Sequence, residues 1–126
     1  PCSSAASDVY KRQANLQLKN YLKAIKILSL SIEDNPKNHH SYNNIGLAYN
    51  EIKDFNEAIK NYEICIKLKP NFPDAYINKG ISLKEIGNYE EALKDFKTVL
   101  KLSPSNARLI LILEIYKRNK KNMMKL

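Results

Sequence analysis

Proline returns at positions 36, 70 and 104, every 34 residues, and the rest of the chain keeps step with it. Ala24, Ala58 and Ala92 share the period, as do Tyr21, Phe55 and Tyr89, then Leu28, Tyr62 and Phe96, and the pair Gly46 and Gly80. A period between about 20 and 50 residues marks a stacked-repeat architecture, because so short a unit cannot bury its apolar face alone and must share it with a neighbour. The functional expectation moves with it, from a catalytic pocket to an extended binding surface.

Residues 39–72 and 73–106 align without a gap and each encodes two helices. Tyr42, Ile45, Ala48, Tyr49 and Ile52 recur at three- and four-residue steps, which is one helical face. A break at Lys53 and Asp54 is followed by a second face of Phe55, Ala58, Ile59, Tyr62, Cys65 and Ile66. Pro70 ends it, since the ring removes a donor and clashes with the preceding turn. The next unit turns at Gly87-Asn88 and closes at Pro104. Two such helices joined tightly form an antiparallel hairpin. The small residues Gly46, Gly80, Ala58 and Ala92 let backbones approach, and Tyr42, Tyr62, Tyr76 and Phe96 are expected to fill the space between hairpins.

This arrangement resembles the tetratricopeptide repeat. In residues 39–72 the resemblance rests on Tyr42, Ile45, Gly46, Tyr49, Ala58, Tyr62, Cys65 and Pro70. In residues 73–106 it rests on Tyr76, Gly80, Leu83, Gly87, Tyr89, Ala92, Phe96, Val99 and Pro104. Lys79 departs where an apolar residue is usual, and a slight rotation of its helix is expected. The resemblance implies an all-α fold of antiparallel hairpins stacked as a right-handed α-solenoid.

The ends fit less well. Residues 14–38 carry a partial first repeat, with Asn20, Tyr21, Ala24, Leu28 and Pro36 in a second helix. A first helix should start near Ala5, yet Asp8 and Arg12 fill the slots for its aromatic residue and glycine. Residues 1–13 show no repeat pattern, and their last six, DVYKRQ, resemble a translated sequencing-library adapter; this segment is read as a non-native artefact. The natural protein is then expected to continue upstream. Residues 107–126 read as a capping helix, or the first helix of a further repeat, with a basic tail and Asn106 as N-cap. The unbroken apolar run Leu109–Leu113 suggests burial on more than one side, by a further hairpin, a partner or self-association.

The net charge of +8 is unevenly placed. Residues 39–72 and 73–106 are each neutral, and residues 107–126 hold +5 through Arg108, Lys117, Arg118, Lys120, Lys121 and Lys125 against Glu114. Cations at a helix C-terminus suit its dipole, so nucleic acid is not the expected partner. No apolar run is long enough to cross a bilayer. Cys2 and Cys65 suggest no disulfide framework, and a cytoplasmic setting is the default. Adjacent His39 and His40 are read as solvent-facing turn residues and not as metal ligands. No phosphate-binding glycine loop and no catalytic constellation is present, so neither cofactor, metal nor enzymatic activity is expected.

By resemblance to the family, the second, fifth, ninth and twelfth residues of each unit face the concave side. These are His40, Asn43, Leu47 and Asn50; Asp74, Ile77, Ile81 and Lys84; then Arg108, Leu111 and Ile115. The family's groove chemistry includes clamping of acidic chaperone tails by inward Lys, Arg and Asn. Leu47 and Asp74 stand where such a clamp would want Asn and Lys, which disfavours that ligand. An apolar stripe of Leu47, Ile77, Ile81, Leu111 and Ile115 remains, flanked by Asn50, Lys84 and Arg108, and suits a peptide or helix with apolar anchors. The expected function is a non-catalytic protein–protein interaction scaffold. The alternative is that the chain is a segment of a larger enzyme, such as a glycosyltransferase.

Overall fold

The computed structural model describes residues 2–124, with side chains described over 5–121. Pro1, Lys125 and Leu126 lie outside the described residues, as does the side chain of Cys2. Six helices follow one another: α1 (Cys2–Asp34), α2 (His39–Glu51), α3 (Phe55–Leu68), α4 (Pro73–Glu85), α5 (Tyr89–Leu102) and α6 (Ala107–Met124). No strand occurs among the described residues. Helices α2 and α3 pair, as do α4 and α5, and the two hairpins stack through α3 and α4.

Local chemistry sets the ends of the central helices. The Asp54 carboxylate accepts from the Glu57 backbone amide at 3.3 Å, and Asn88 accepts from Glu91 in the same way. Each supplies the first turn with the acceptor its free amides lack. Pro73 opens α4, where its fixed φ suits a first turn and no donor is missed. The chain reverses between α2 and α3 at Lys53 (φ 64°) and between α4 and α5 at Gly87 (φ 84°). These residues are 34 apart, so both hairpins use one left-handed turn residue. The Tyr76 hydroxyl donates to the Pro70 carbonyl at 2.9 Å and ties the linker down.

Of the four rings expected between hairpins, Tyr62 and Phe96 press on the glycines of their own hairpins, while Tyr42 lies beside Ile25, Ser29 and Ile32 of α1 and Tyr76 packs on the core of the second unit. Gly46 lies against the Tyr62 ring and Gly80 against the Phe96 ring; a Cβ on Gly80 would stand 2.6 Å from Phe96 Cε1. The glycines are therefore the close-approach points of each pair. Tyr62, Ala58 and Cys65 are fully buried, and the second unit continues into a cluster of Ile77, Leu83, Ala92, Phe96, Val99 and Leu109. Leu109 ties α6 to that core. The run Leu109–Leu113 is accordingly split: Leu109 is buried, Ile112 and Leu113 are half-buried, and Ile110 and Leu111 are exposed.

At the N-terminal end α1 runs as one continuous helix from Cys2 to Asp34, through both the segment 1–13 and the partial first repeat. Asn20 occupies the slot of the helix caps Asp54 and Asn88, yet lies mid-helix in α1. Residues 5–20 are exposed throughout, while Tyr21, Ala24, Ile25, Leu28 and Ile32 are half-buried where α1 packs on α2. The physical reason is that Asp8 and Arg12 hold the slots where an aromatic residue and a glycine would let a first helix fold back onto the second, and the one ring in that stretch, Tyr10, is exposed. With nothing gained by reversal, unbroken local hydrogen bonding wins.

Candidate functional site

Helices α2 and α4 open the two repeats and α6 follows α5, and the candidate groove residues lie along these three helices. The structure divides these residues into two layers. Asn43 is 8% exposed and Ile77 is fully buried, so both belong to the stack and neither lines a groove. For Ile77 the correction has a simple cause: it belongs to the buried cluster with Phe96, Val99 and Leu109, which joins α4 to α5 and α6.

Asn43 instead begins a polar ladder. The Asn78 side-chain amide donates to the Asn43 carbonyl oxygen at 3.0 Å. Arg108 Nη2 donates to the Asn78 carbonyl oxygen, and Arg108 Nη1 lies 3.5 Å from the Asp74 carboxylate. One turn further along, the Ser82 hydroxyl donates to the Asn50 side-chain oxygen at 2.8 Å. These bonds run from α2 to α4 to α6 and satisfy the buried Asn43, Asn78 and Ser82, which burial would otherwise penalise, while Arg108 and Asp74 stay exposed. They fix the spacing of the first helices. Arg108 is also committed to internal partners, which removes it from the expected flank of free cations.

The outer layer remains available. His40, Leu47 (36% exposed), Leu111 (61%) and Ile115 (48%) are exposed, while Ile81 and Lys84 are half-buried. Lys84 Nζ sits 5.8 Å from the centre of the Tyr116 ring, within cation–π range.

Three features escaped the sequence reading. Lys79 does not simply rotate its helix: its ammonium lies 3.5 Å from the Asp95 carboxylate, both nearly buried. Burial pushes the Asp95 carboxyl up to about 6, with Lys79 pulling the other way. The signal was present, because Lys79 and Asp95 replace Ile45 and Asn61 of the preceding unit together. His39 is half-buried against the Phe72 ring, with centroids 5.1 Å apart, and its Nε2 is buried; only His40 matches the expected exposure. Burial, the neighbouring His40 and Lys69 all lower the His39 pKa. The third is Tyr116, which stands in the slot held by Ala48 and Ser82, and periodicity gives no warning of what its bulk does. Cys65 is a buried free thiol that burial pushes up to about 11, which makes it a packing residue and a poor nucleophile. Among the described residues no group of three His, Cys, Asp or Glu is placed to hold a metal ion. No described helix is long and apolar enough to cross a membrane.

Residues 40–72 and 73–106 each match the family described as Tetratricopeptide repeat. No curated protein matches the chain. Among solved structures, the crystal structure of MamA protein is 31% identical over 76% of this chain, with a TM-score of 0.65. The chain spans about half of that protein, 52% of its length. The Arabidopsis OM64 TPR domain is 25% identical, covers 91% of this chain and 97% of its own, and has a TM-score of 0.73. The first TPR of Spaghetti (RPAP3), bound to the HSP90 peptide SRMEEVD, is 24% identical. It covers 93% of this chain and 89% of its own with a TM-score of 0.73, a likeness of fold alone.

Proposed function

The chain belongs to the tetratricopeptide repeat family, and we propose that it is a non-catalytic cytoplasmic scaffold that holds a peptide or helix of a partner protein on the face formed by α2, α4 and α6. The observation that carries this reading is the apolar stripe along α2, α4 and α6, in which Leu47, Leu111 and Ile115 are exposed and Ile81, half-buried, joins them to the core. Beneath them the Asn43–Asn78–Arg108 ladder holds the helices in place, so the surface is preorganised and binding orders little of the protein. Asn50 and Lys84 supply polar edges. The partner is apolar in its anchors. Leu47 and Asp74 are ill-suited to an acidic tail such as the one the Spaghetti domain holds, and Arg108 is already engaged by Asp74.

The test uses two variants, Ile81→Asp and Leu111→Asp. Burying a Leu or Ile contributes about 1.5–3 kcal/mol, so each variant should weaken partner capture by roughly tenfold or more. Helicity by circular dichroism should be unchanged, most securely for Leu111, which is 61% exposed. Retention of the same partners at parental affinity by both folded variants would remove the α2–α4–α6 face from consideration.

A further inference from the structure

The contact between a second helix and the next first helix occurs twice in the central part of the chain, and the two occurrences differ. Where α3 meets α4, the central slot of α4 holds Ser82, which is fully buried, and Phe55 and Ile59 across from it are half-buried. Where α5 meets α6, the same slot holds Tyr116, which is 48% exposed. Tyr89 and Leu93, the counterparts of Phe55 and Ile59, are 61% and 51% exposed. A small residue lets two helices close; a tyrosine in its place does not fit between them. The result is a cleft of about 230 Å3 with a floor of Ala92, Phe96, Ile112 and Leu113 and a mouth of Tyr89, Leu93, Tyr116 and Lys84.

We propose that this α5–α6 cleft is a second docking site, adjoining the α2–α4–α6 face at Lys84 but lined otherwise by different residues, and that its occupant is an acidic amphipathic segment of a partner protein whose apolar side chains enter the cleft. The volume lies below the roughly 300–1,000 Å3 usual for small-molecule sites, and suits a few anchoring side chains. The charge around it selects the occupant. Lys84 stands at the mouth over the Tyr116 ring. The turns of α6 that follow Tyr116 carry Lys117, Arg118, Lys120 and Lys121, all exposed. Of the acids beside Tyr89, Glu91 pairs with Lys94 at 2.9 Å and Glu90 is exposed, so the basic margin lies on the α6 side of the cleft. The two central repeats are neutral, so this basic margin is where the net charge of the chain is concentrated, and it complements carboxylates on the segment that docks. The dipole explanation for the tail is not displaced; the same cations serve both ends.

The probe is a synthetic peptide of about three helical turns with Leu at i, i+3, i+4 and i+7 and Glu elsewhere, alongside its twin with Lys for every Glu. Binding is read by fluorescence anisotropy at low and high salt. The acidic peptide should bind, weaken with salt, and exceed its basic twin by roughly tenfold or more. Leu93→Asp, and separately Lys117→Glu with Lys120→Glu, should each reduce its affinity by a similar factor, while Ile81→Asp on the other face should leave it unchanged. Equal binding of the two peptides, or indifference to Leu93→Asp, overturns the proposal. Loss of binding in Ile81→Asp alone places the peptide on the α2–α4–α6 face and also overturns it. A dimer in light scattering that Leu93→Asp dissociates makes a second copy the occupant, with the same consequence. Failure of this test leaves the α2–α4–α6 reading intact, since that reading is judged by Ile81 and Leu111.

Discussion

The units 39–72 and 73–106 share one skeleton and differ most in one pair of core slots. Both close a glycine on an aromatic ring, Gly46 on Tyr62 and Gly80 on Phe96, and both reverse at a left-handed residue. Yet the first unit places Ile45, 4% exposed, beside a helix where Asn61 donates to its own backbone at Glu57. The second places Lys79 and Asp95 at those two slots and joins them across the hairpin. The lesson is that the repeat constrains shape more than polarity. A core slot accepts a charge when its neighbour changes with it, because an ion pair satisfies what a lone charge could not. A residue that breaks the family pattern is best read together with the residue it faces.

The largest effect comes from separating that pair. Lys79→Ile alone leaves the Asp95 carboxylate buried without its counter-charge and should destabilise the chain by about 3–5 kcal/mol. Adding Asp95→Asn copies the interior of the first unit into the second and should restore the parental melting temperature or raise it, the gain being as much as about 4 kcal/mol. Thermal melts of the parent, the single and the double variant decide this. If the single and double variants melted together, the two units would differ by accident and not by compensation.

A smaller effect comes from the turns, where the units differ by Lys53 against Gly87. A side chain in the left-handed region costs about 1–2 kcal/mol. Lys53→Gly should recover part of that, and Gly87→Ala should lose about 1 kcal/mol, with opposite shifts in urea midpoint. A Cβ on Gly87 would meet nothing within 4 Å, so a loss there reports on backbone conformation and not on packing.

A last effect is in pH, and its sign differs between the units. Asp95 holds its proton to about pH 6 in the folded chain, against 3.8 unfolded. As pH rises through that interval the unfolded chain ionises first, so Asp95 contributes less stability at pH 7 than at pH 4. His39, in the first unit, has its pKa lowered from 6.5, so the unfolded chain takes up the proton first and stability falls as pH drops below 6.5. In the parent the two trends oppose each other below pH 6. The Lys79→Ile, Asp95→Asn chain loses the compensating arm, and its melting temperature should fall more steeply on acidification. Parallel curves for the two proteins would mean that Asp95 titrates normally.

Much of this protein was legible from its letters. The period of 34, the prolines, the breaks at Lys53-Asp54 and Gly87-Asn88 and the helical spacing of apolar residues dictated the helices from His39 to Leu102 and their pairing, because all of these act through local backbone chemistry. Family membership followed from the same positions. Which faces meet was not local. Ile77 and Leu111 hold the same slot in successive units, yet one is fully buried and the other is 61% exposed. Asn43, Asn78 and Arg108 are unremarkable one at a time and become a ladder only when three helices lie side by side. The straight course of α1 past Asn20 and the cleft beside Tyr116 were likewise settled by whether a neighbouring helix could come close. Period and caps are properties of a few consecutive residues; burial and charge pairing are properties of the space between residues about 30 positions apart, and only the packed stack defines that space.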